Sequence, residues 1–351
     1  MNVDVRELAA QVRLGRPRAV ARLISLVENA AENIAENVTG NVTGNATGNA
    51  ARAGGAGEAE PQGGNRVLRE VMADLATGAA RPYTARVIGL TGAPGVGKST
   101  STGTLIRAFR RRGSRVGVLA VDPSSPFTGG ALLGDRVRMQ EHATDPEVFI
   151  RSMSSRGHLG GLAWATPQAL RVLEAAGCDV ILVETVGVGQ AEVDVARLAD
   201  TTVVILAPGM GDGVQAAKAG ILEVADVLVV NKADRDGAQA TVRELRNMTG
   251  LAEPPWRPPI VTTVASREEG ADDLTAALDK HQAYLDESGE GRRRRLARAR
   301  DEIEAIALAG LRSRFAGLHG DRLDALAARL LDAGTDPYTA ADDLLAALRR
   351  Q

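Results

Sequence analysis

The stretch that most constrains this chain is a glycine-rich loop that follows an apolar run and precedes a helical pattern. The apolar run covers residues 87–90, and residues 92–99 read G-A-P-G-V-G-K-S. These letters fit G-x-x-x-x-G-K-[ST], and a strand, a loop and a helix in this order form a phosphate-binding loop. A chance glycine-rich turn is the alternative, and the flanking strand and helix argue against it. The predicted loop consists of Gly92, Ala93, Pro94, Gly95, Val96, Gly97, Lys98, Ser99 and Thr100.

Each residue type in this loop has a chemical task. Glycines let the backbone curl so that successive N–H groups point at phosphate oxygens. The helix that begins near Lys98 adds the positive end of its dipole. The Lys98 ammonium can reach the β- and γ-phosphates, and the Ser99 hydroxyl can ligate Mg²⁺.

Composition narrows the classes of partner. A formal net charge of -2 gives no global field for nucleic acid or an anionic membrane, and an aromatic content of 3% argues against base-stacking platforms. No apolar run approaches transmembrane length, and the first residues lack the apolar core of a signal peptide. With one cysteine, Cys178, the chain cannot form an intrachain disulfide, so we expect a cytoplasmic protein in which Cys178 is a small buried residue.

The chain divides into three regions by pattern. Residues 1–85 are helical, with an Asn-, Thr- and Gly-rich insert at 37–64 that has almost nothing to bury and that we expect to be disordered. Residues 86–280 alternate between strand and helix patterns. Residues 281–351 are helical and charged.

Seven apolar, β-branched runs predict the strands of the middle region. Several are almost continuously hydrophobic, which suits parallel strands buried on both faces of a sheet. The runs are 87–90, 116–121, 148–150, 180–183, 202–206, 227–230 and 260–264. We therefore predict an α/β fold, a P-loop domain with a mostly parallel, doubly wound sheet and helical extensions at both ends.

Two local patterns lie on predicted helices. Thr166 before Pro167 indicates an N-cap with proline in the first helical turn. Residues 292–295 are four consecutive arginines, and the near-neutral total charge favours a solvated helix face for them.

The sequence N-K-A-D directly after the apolar run 227–230 is the second strong motif. Guanine offers an N1–H and an amino group side by side, and the Asp234 carboxylate can accept both, whereas adenine has no such donor pair. The Asn231 amide can bridge to neighbouring loops, and the Lys232 stem can cover the ring. The pattern indicates guanine recognition.

Acidic residues follow two other predicted strands. Glu184, in E-T-V-G-V-G-Q, stands where GTPases place an acid that holds Mg²⁺, and Gly187 stands where a backbone N–H meets the γ-phosphate. Gln190 can orient the attacking water, or its amide can simply pair with backbone. Asp122 directly follows the run 116–121 and is a candidate magnesium residue rather than a simple N-cap. Asp135 is a second acid within reach in sequence.

A second glycine-rich loop, A-P-G-M-G-D-G, precedes Lys218. Three glycines give this loop the freedom to move, and Lys218 can deliver a cation to the γ-phosphate. The alternative is an ordinary connector followed by a solvated helix lysine.

Taken together, these motifs resemble the methylmalonyl-CoA mutase-associated GTPases of the MeaB/ArgK type. The matching text includes T-G-A-P-G-V-G-K-S-T, A-V-D-P-S-S-P-F-T-G-G-A-L-L-G-D-R-V-R-M, S-S-R-G-H-L-G-G-L, V-E-T-V-G-V-G-Q, N-K-A-D and D-P-Y-T-A-A. The resemblance implies a GTPase that escorts an adenosylcobalamin-dependent acyl-CoA mutase, gates its cofactor loading and protects it from inactivation. It implies a homodimer built through the helical extensions, and it allows a cobalamin adenosyltransferase as a further partner.

The resemblance also implies roles for individual residues. The ligands are GTP or GDP, with Mg²⁺ held by Ser99, Asp122, Asp135 and Glu184. The catalytic candidates are Lys98, Glu184, Gln190 and Lys218, the last in a switch that answers the partner. The loop behind the base usually reads Ser-Ala-Lys or Ser-Ala-Arg in the family, whereas the matching positions here are Val264, Ala265 and Ser266.

Three other functions compete with this interpretation. A metal-inserting GTPase of the nickel-chaperone kind needs Cys or His ligands, and one cysteine and four scattered histidines argue against it. A kinase of a periplasmic transport protein needs a positioned acceptor base and usually lacks N-K-x-D. A nucleotide-gated binding protein with negligible turnover stays open, since Glu184 and Gln190 favour hydrolysis without proving it.

Overall fold

A computed structural model describes residues 4–43, 63–77, 85–122, 142, 144–154, 165–185, 191–209, 222–250, 255–316, 320–332 and 334–348. Its centre is a parallel sheet of seven strands in the order β3-β2-β4-β1-β5-β6-β7. The strands are β1 (Arg86–Thr91), β2 (Val116–Asp122), β3 (Val148–Ser154), β4 (Val180–Thr185), β5 (Thr201–Leu206), β6 (Val227–Val230) and β7 (Ile260–Thr262). All seven predicted strands are confirmed, and so is the α/β fold.

Helices cover both faces of this sheet, as buried parallel strands require. In chain order they are α1 (Val5–Arg13), α2 (Pro17–Thr43), α3 (Gly63–Thr77), α4 (Lys98–Arg111), α5 (Thr166–Ala175), α6 (Ala191–Leu198), α7 (Ala238–Thr249), α8 (Ala271–Glu287), α9 (Glu290–Ala316), α10 (Gly320–Leu331) and α11 (Pro337–Leu348). No helix in these described ranges combines the length and the hydropathy needed to cross a membrane.

Strand side chains alternate between two apolar layers because successive residues of a strand point to opposite faces. Val87 and Ile181 join the layer that contains α1, α2, α3, α5 and α6. Ile88 and Leu182 join the opposite layer, which contains α4 and α8. Cys178 is buried in the first layer, as predicted, and burial raises the pKa of its thiol.

Two predicted boundaries are wrong. Helix α2 continues to Thr43 and α3 begins at Gly63, so residues 37–43 and 63–64 are helical rather than disordered. A helix that has already formed extends at little cost per residue, which explains the continuation into a polar stretch. The rest of the predicted insert, residues 44–62, lies outside the described residues.

The predicted N-cap at Thr166 is also wrong. Thr166 is the first residue of α5, Ala165 precedes it, and no side chain caps this end. Proline is accepted throughout the first helical turn, so Pro167 fixes the helix start only to within one residue.

The basic run at residues 292–295 is only half solvated. Arg292 and Arg293 are exposed. Arg294 binds both carboxylate oxygens of Asp226, at 2.8 and 2.9 Å, and Arg295 lies 3.0 Å from Asp200. The prediction of a solvated face is therefore wrong for two of the four arginines, which attach α9 to the sheet.

Asp200 and Asp226 precede β5 and β6, at the amino end of the sheet. The Asp200 carboxylate also accepts hydrogen bonds from Arg298 and from the Val87 N–H, and its side chain is 1% exposed. Burial opposes the charge of Asp226, but the contacts from His281 and Arg294 outweigh it and lower the pKa of that carboxyl. Each carboxylate thus joins strand backbone to a helix through buried, charge-assisted bonds.

A cavity of about 200 Å³ lies between α5, α6 and α9 at this end. Glu174 lines it together with Arg171 and Arg295. Burial raises the pKa of the Glu174 carboxyl to about 7, against an opposing effect of Arg171.

The C-terminal helices expose much apolar surface in the single chain. Leu331 is 87% exposed and Tyr338 is 85% exposed. The other large exposed hydrophobic residues among the described side chains of α9, α10 and α11 are Leu296, Ile303, Ile306, Leu308, Leu311, Leu323, Leu330 and Leu345. Exposed large hydrophobic side chains in this number are typical of an interaction site.

The Asp200 cluster provides a test of how α9 is held. We expect Asp200→Asn to lower the free energy of unfolding by about 3 kcal/mol, because Arg295 and Arg298 would lose the negative charge that offsets their partial burial. Glu70→Gln is the matched control, since it breaks the exposed pair with Arg66 and should cost less than about 1 kcal/mol. Urea denaturation of both variants measures the difference in the free energy of unfolding. Equal losses of stability would contradict the role of Asp200 in holding α9.

Glu174 provides a test of pH dependence. Between its ordinary pKa of 4.5 and its folded pKa of about 7, the folded protein holds a proton that the unfolded chain has lost. Stability therefore falls as pH rises through this window. We expect Glu174→Gln to match the parent near pH 5 and to exceed its stability by about 2 kcal/mol near pH 8. Thermal denaturation across this range is the measurement, with the exposed Glu287→Gln as control, and parallel curves for parent and Glu174→Gln would refute the assignment.

Candidate functional site

The glycine-rich loop begins where β1 ends, at the carboxyl edge of the sheet. Gly92 has φ 140°, and a Cβ there would lie 2.2 Å from the Ile205 carbonyl oxygen. Gly97 has φ 99°, and its Cβ would lie 2.4 Å from Asn231 Nδ2. Both positions require glycine, since a side chain would meet both strained backbone and a close neighbour.

Helix α4 starts directly from this loop. Its first residue is Lys98, and no side chain caps its amino end at Gly97. The Lys98 side chain is buried and its ammonium donates to Gly92 O at 2.7 Å and to Ala93 O at 3.0 Å. A charge at the loop centre and a helix amino terminus beside it form an anion site.

Glu184 lies beside α4 at the end of β4. Its two carboxylate oxygens accept hydrogen bonds from Ser99 Oγ at 2.6 Å and from Thr102 Oγ1 at 2.8 Å. Glu184 is 4% exposed and Ser99 is 9% exposed. A buried carboxylate and a hydroxyl in contact are an all-oxygen donor set, which fits Mg²⁺. Thr102 was not predicted from the sequence, although it lies one turn from Ser99 on the same helix face.

The remaining predicted phosphate, magnesium and catalytic residues lie largely outside what the structure describes. Asp122 is the last residue of β2, where its backbone pairs with Ser154, and its side chain is not among those described. Asp135, Gly187, Gln190 and Lys218 lie outside the described residues. Their roles stay predictions.

The Asn231 amide joins the glycine-rich loop to the predicted base loop. Its Nδ2 donates to Val96 O at 2.8 Å, and its Oδ1 accepts from Thr263 Oγ1 at 3.1 Å and from the Ala265 N–H at 3.0 Å. Asn231 is 2% exposed. The predicted bridging role of this amide is therefore present in the geometry, with Thr263 as a partner that the sequence did not reveal.

Lys232 and Asp234 lie at the mouth of the site. Lys232 adopts φ 56°, a left-handed conformation, and its Nζ donates to Gly95 O at 2.6 Å. Asp234 is half exposed, and its Oδ2 accepts from Arg267 Nη2 at 2.7 Å. Arg267 is a third residue that sequence patterns did not single out, since only the fold brings it to Asp234.

Val264, Ala265 and Ser266 lie beside Asn231 in a tight turn that follows β7. Val264 and Ala265 are buried and Ser266 is exposed. The Ala265 N–H donates to Asn231 Oδ1 at 3.0 Å. The Ala265 carbonyl accepts from Thr104 Oγ1 of α4 at 3.0 Å, so the turn is attached to the same helix that begins at Lys98.

The sequence is similar to known GTPases over most of the chain. The family model described as "Methylmalonyl Co-A mutase-associated GTPase MeaB" matches residues 51–318. A putative GTPase of Pyrococcus abyssi is 43% identical over 347 residues, which cover 97% of this chain and 95% of that protein. The GTPase ArgK of Escherichia coli is 40% identical over 220 residues, covering 60% of this chain and 66% of the relative.

Two further similarities agree with these. The mitochondrial methylmalonic aciduria type A homolog of Caenorhabditis elegans is 37% identical over 215 residues, covering 59% of this chain and 54% of that protein. The crystal structure of a LAO/AO transport system kinase has a TM-score of 0.66 and 22% identity over 99% of both chains, which shows a shared fold. The phosphate loop, the acidic strand end and the N-K-x-D group thus lie in a fold and a sequence context common to GTPases, and the chain belongs to the family of methylmalonyl-CoA mutase-associated GTPases.

Proposed function

We propose that this protein is a cytoplasmic, GTP-hydrolysing chaperone of an adenosylcobalamin-dependent acyl-CoA mutase, either a methylmalonyl-CoA or an isobutyryl-CoA mutase. It gates loading of the cobalamin cofactor, with a cobalamin adenosyltransferase as a further partner, and protects the mutase from inactivation. Membership of the family supports the class of partner. The observation that carries the nucleotide part is the Asn231 amide, which bonds to the phosphate loop on one side and to the base loop on the other.

Base selection is assigned to the mouth of the site. Asp234 accepts the N1–H and the amino group of guanine, and the Lys232 stem covers the ring. Val264, Ala265 and Ser266 back the base. Adenine lacks the paired donors, so it would leave the carboxylate partly unsatisfied.

Phosphate binding is assigned to the loop and to Lys98. Backbone N–H groups of the loop and the amino end of α4 face the phosphate oxygens, and the Lys98 ammonium neutralises the β- and γ-phosphates. Gly187 contributes a further N–H to the γ-phosphate. Ser99 and Glu184 would hold Mg²⁺, with Asp122 and Asp135 completing the oxygen ligands, and the bound ion neutralises charge that develops on the phosphates.

Hydrolysis requires a water that is aligned with the γ-phosphorus. Gln190 holds and orients this water, and Lys218 approaches the transferring group when the partner resets the loop before it. Gly209, at the start of that loop, has φ 79° and open space around its α-carbon, which fits a hinge. Without the partner, we expect slow turnover, because spacing in the sequence assigns no arginine to the γ-phosphate.

The exposed apolar surface of α9, α10 and α11 supports a homodimer. Among the described side chains of these helices, ten large hydrophobic ones are exposed, from Leu296 to Leu345. A second copy would cover such surface and remove it from water.

The separate roles of Lys98 and Ser99 can be distinguished by titration. We expect Lys98→Ala to lose about 100-fold or more in GTP affinity at every Mg²⁺ concentration, because the cation that faces the phosphates is gone. Ser99→Ala should lose mainly the Mg²⁺ dependence of binding and turnover. Ser101→Ala is the control, since its buried hydroxyl has no hydrogen-bond partner among the described residues. Superimposable Mg²⁺ titrations of the first two variants would contradict the assignment.

The partner can be identified by affinity capture from the native cell with the tagged protein loaded with GDP or a non-hydrolysable GTP analogue. We expect a cobalamin-dependent mutase to be recovered. Adding that mutase should raise phosphate release, and Lys218→Ala should keep the basal rate but lose most of a stimulation of about 10-fold or more. The exposed Lys280→Ala should behave as the parent. Recovery of a nickel enzyme or of a phosphorylated transport protein would instead favour a competing function.

A further inference from the structure

The ion pair between Arg267 and Asp234 lies at the position where the base is read. Arg267 Nη2 is 2.7 Å from Asp234 Oδ2, and the two side chains are 54% and 43% exposed. Arg267 belongs to the three-residue 3-10 turn Ala265–Arg267 that follows β7. It comes to Asp234 from a different segment of the chain, so the contact depends on how this turn is held.

The turn is held from three sides. The Ala265 N–H donates to Asn231 Oδ1 at 3.0 Å, and its carbonyl accepts from Thr104 Oγ1 at 3.0 Å. Val264 pairs with Glu269 across the turn in an antiparallel bridge. The backbone that carries Arg267 is therefore fixed relative to the strand that carries Asn231.

Glu268 attaches the same turn to α4. It adopts φ 59°, a left-handed conformation that is costly for a residue with a side chain. Its carboxylate binds Arg107 at 2.6 Å and Arg111 at 2.9 Å. Two arginines on successive turns of α4 thus attach the residue that follows Arg267 to this helix.

The chemistry of the carboxylate leaves room for the base beside Arg267. An ionised carboxylate has two oxygens with about four acceptor positions, and a guanidinium only donates. Guanine needs one acceptor position on each oxygen, and the contact with Arg267 takes a single position on Oδ2. The arginine and the base can therefore bind Asp234 at the same time. A carboxylate fixed by a charge-assisted bond loses less side-chain entropy when the base arrives.

We propose that Arg267 is a positioning residue for base recognition, which holds the Asp234 carboxylate in the orientation that accepts both donors of guanine. The proposal rests on the assignment of Asp234 to the base. It predicts that Arg267 contributes to the preference for guanine over hypoxanthine, which has the N1–H but lacks the amino group. Discrimination between these bases requires both carboxylate oxygens to be in place.

The test compares GDP, IDP, ADP and XDP binding to the full chain by calorimetry. We expect Arg267→Ala to bind GDP about three- to tenfold more weakly, the range that an exposed pair and one ordered side chain provide. Its loss for IDP should be smaller, so the GDP-to-IDP affinity ratio falls. Arg267→Lys should recover part of the ratio, because a lysine can make one charge-assisted bond. An unchanged melting temperature would show that the turn remains folded.

Two controls separate positioning from general electrostatics. Arg235→Ala removes an exposed positive charge next to Asp234 in the chain and should leave GDP and IDP affinities unchanged. In an Asp234→Asn background, adding Arg267→Ala should have no further effect on nucleotide affinity, because the arginine acts through the carboxylate. Equal losses for GDP, IDP and ADP would overturn the proposal, and so would parent-like or tighter GDP binding by Arg267→Ala, the latter meaning that the arginine competes with the base.

The same experiment distinguishes an error in the assignment of Asp234 to the base from an error in the role proposed for Arg267. If Asp234→Asn keeps the parent's preference for GDP, Asp234 does not read the base and both assignments fall. If Asp234→Asn shifts the preference to XDP while Arg267→Ala binds all four nucleotides like the parent, the base site stands and the positioning role of Arg267 is wrong.

Discussion

The proposed nucleotide site depends on one buried amide, that of Asn231. The Asn231 backbone N–H donates to Leu206 O at 2.9 Å, and this bond fixes the end of β6 against β5. Its side chain then bonds to Val96 in the phosphate loop and to Thr263 and Ala265 in the base loop. Because every polar atom of this amide has a partner in a buried position, losing any of them would leave an unsatisfied group at a cost of about 1–3 kcal/mol. The proposed phosphate and base subsites are therefore joined through one residue that directly follows a strand of the sheet.

Charged groups stabilise the opposite edge of the sheet in a different way. Asp200 and Asp226 sit before β5 and β6, and arginines from α9 reach both carboxylates. Buried ion pairs of this kind contribute little net stability compared with apolar packing, but they tolerate no loss of a partner. They fix which helix lies against the amino ends of the strands. The strands β5 and β6 thus lead to the polar site at their carboxyl ends and to the arginine–aspartate pairs at their amino ends.

The fold was predictable from the sequence because its signals are local. Each strand contains a short apolar run, and the glycines at positions 92 and 97 stand where side chains would collide with Ile205 and Asn231. The contacts of Thr102, Arg267 and Arg294 could not be found in this way. Glu184 is 82 residues from Thr102, and Asp226 is 68 residues from Arg294. Such pairs exist only once the sheet has placed their segments side by side, whereas a local run of arginines indicates only a charged surface. The end of α2 was missed for a related reason, since propensity describes single residues and not the propagation of a helix.

Helix α4 connects the proposed phosphate side of the site to the turn that carries Arg267. Its first turn supplies Lys98 and Ser99 to the phosphate side, and its next turn supplies Thr102 to Glu184. Farther along, Thr104 bonds to the Ala265 carbonyl, and Arg107 and Arg111 bind Glu268. A helix is stiff over this length, because every residue beyond the first turn is held by an internal hydrogen bond. A displacement of the acidic strand end against α4 would therefore be carried to the turn that presents Arg267, whereas a displacement of an isolated loop would not. The segments of both proposed subsites are thus attached to one rigid element, and this helix is the route by which the phosphate side can influence the base side.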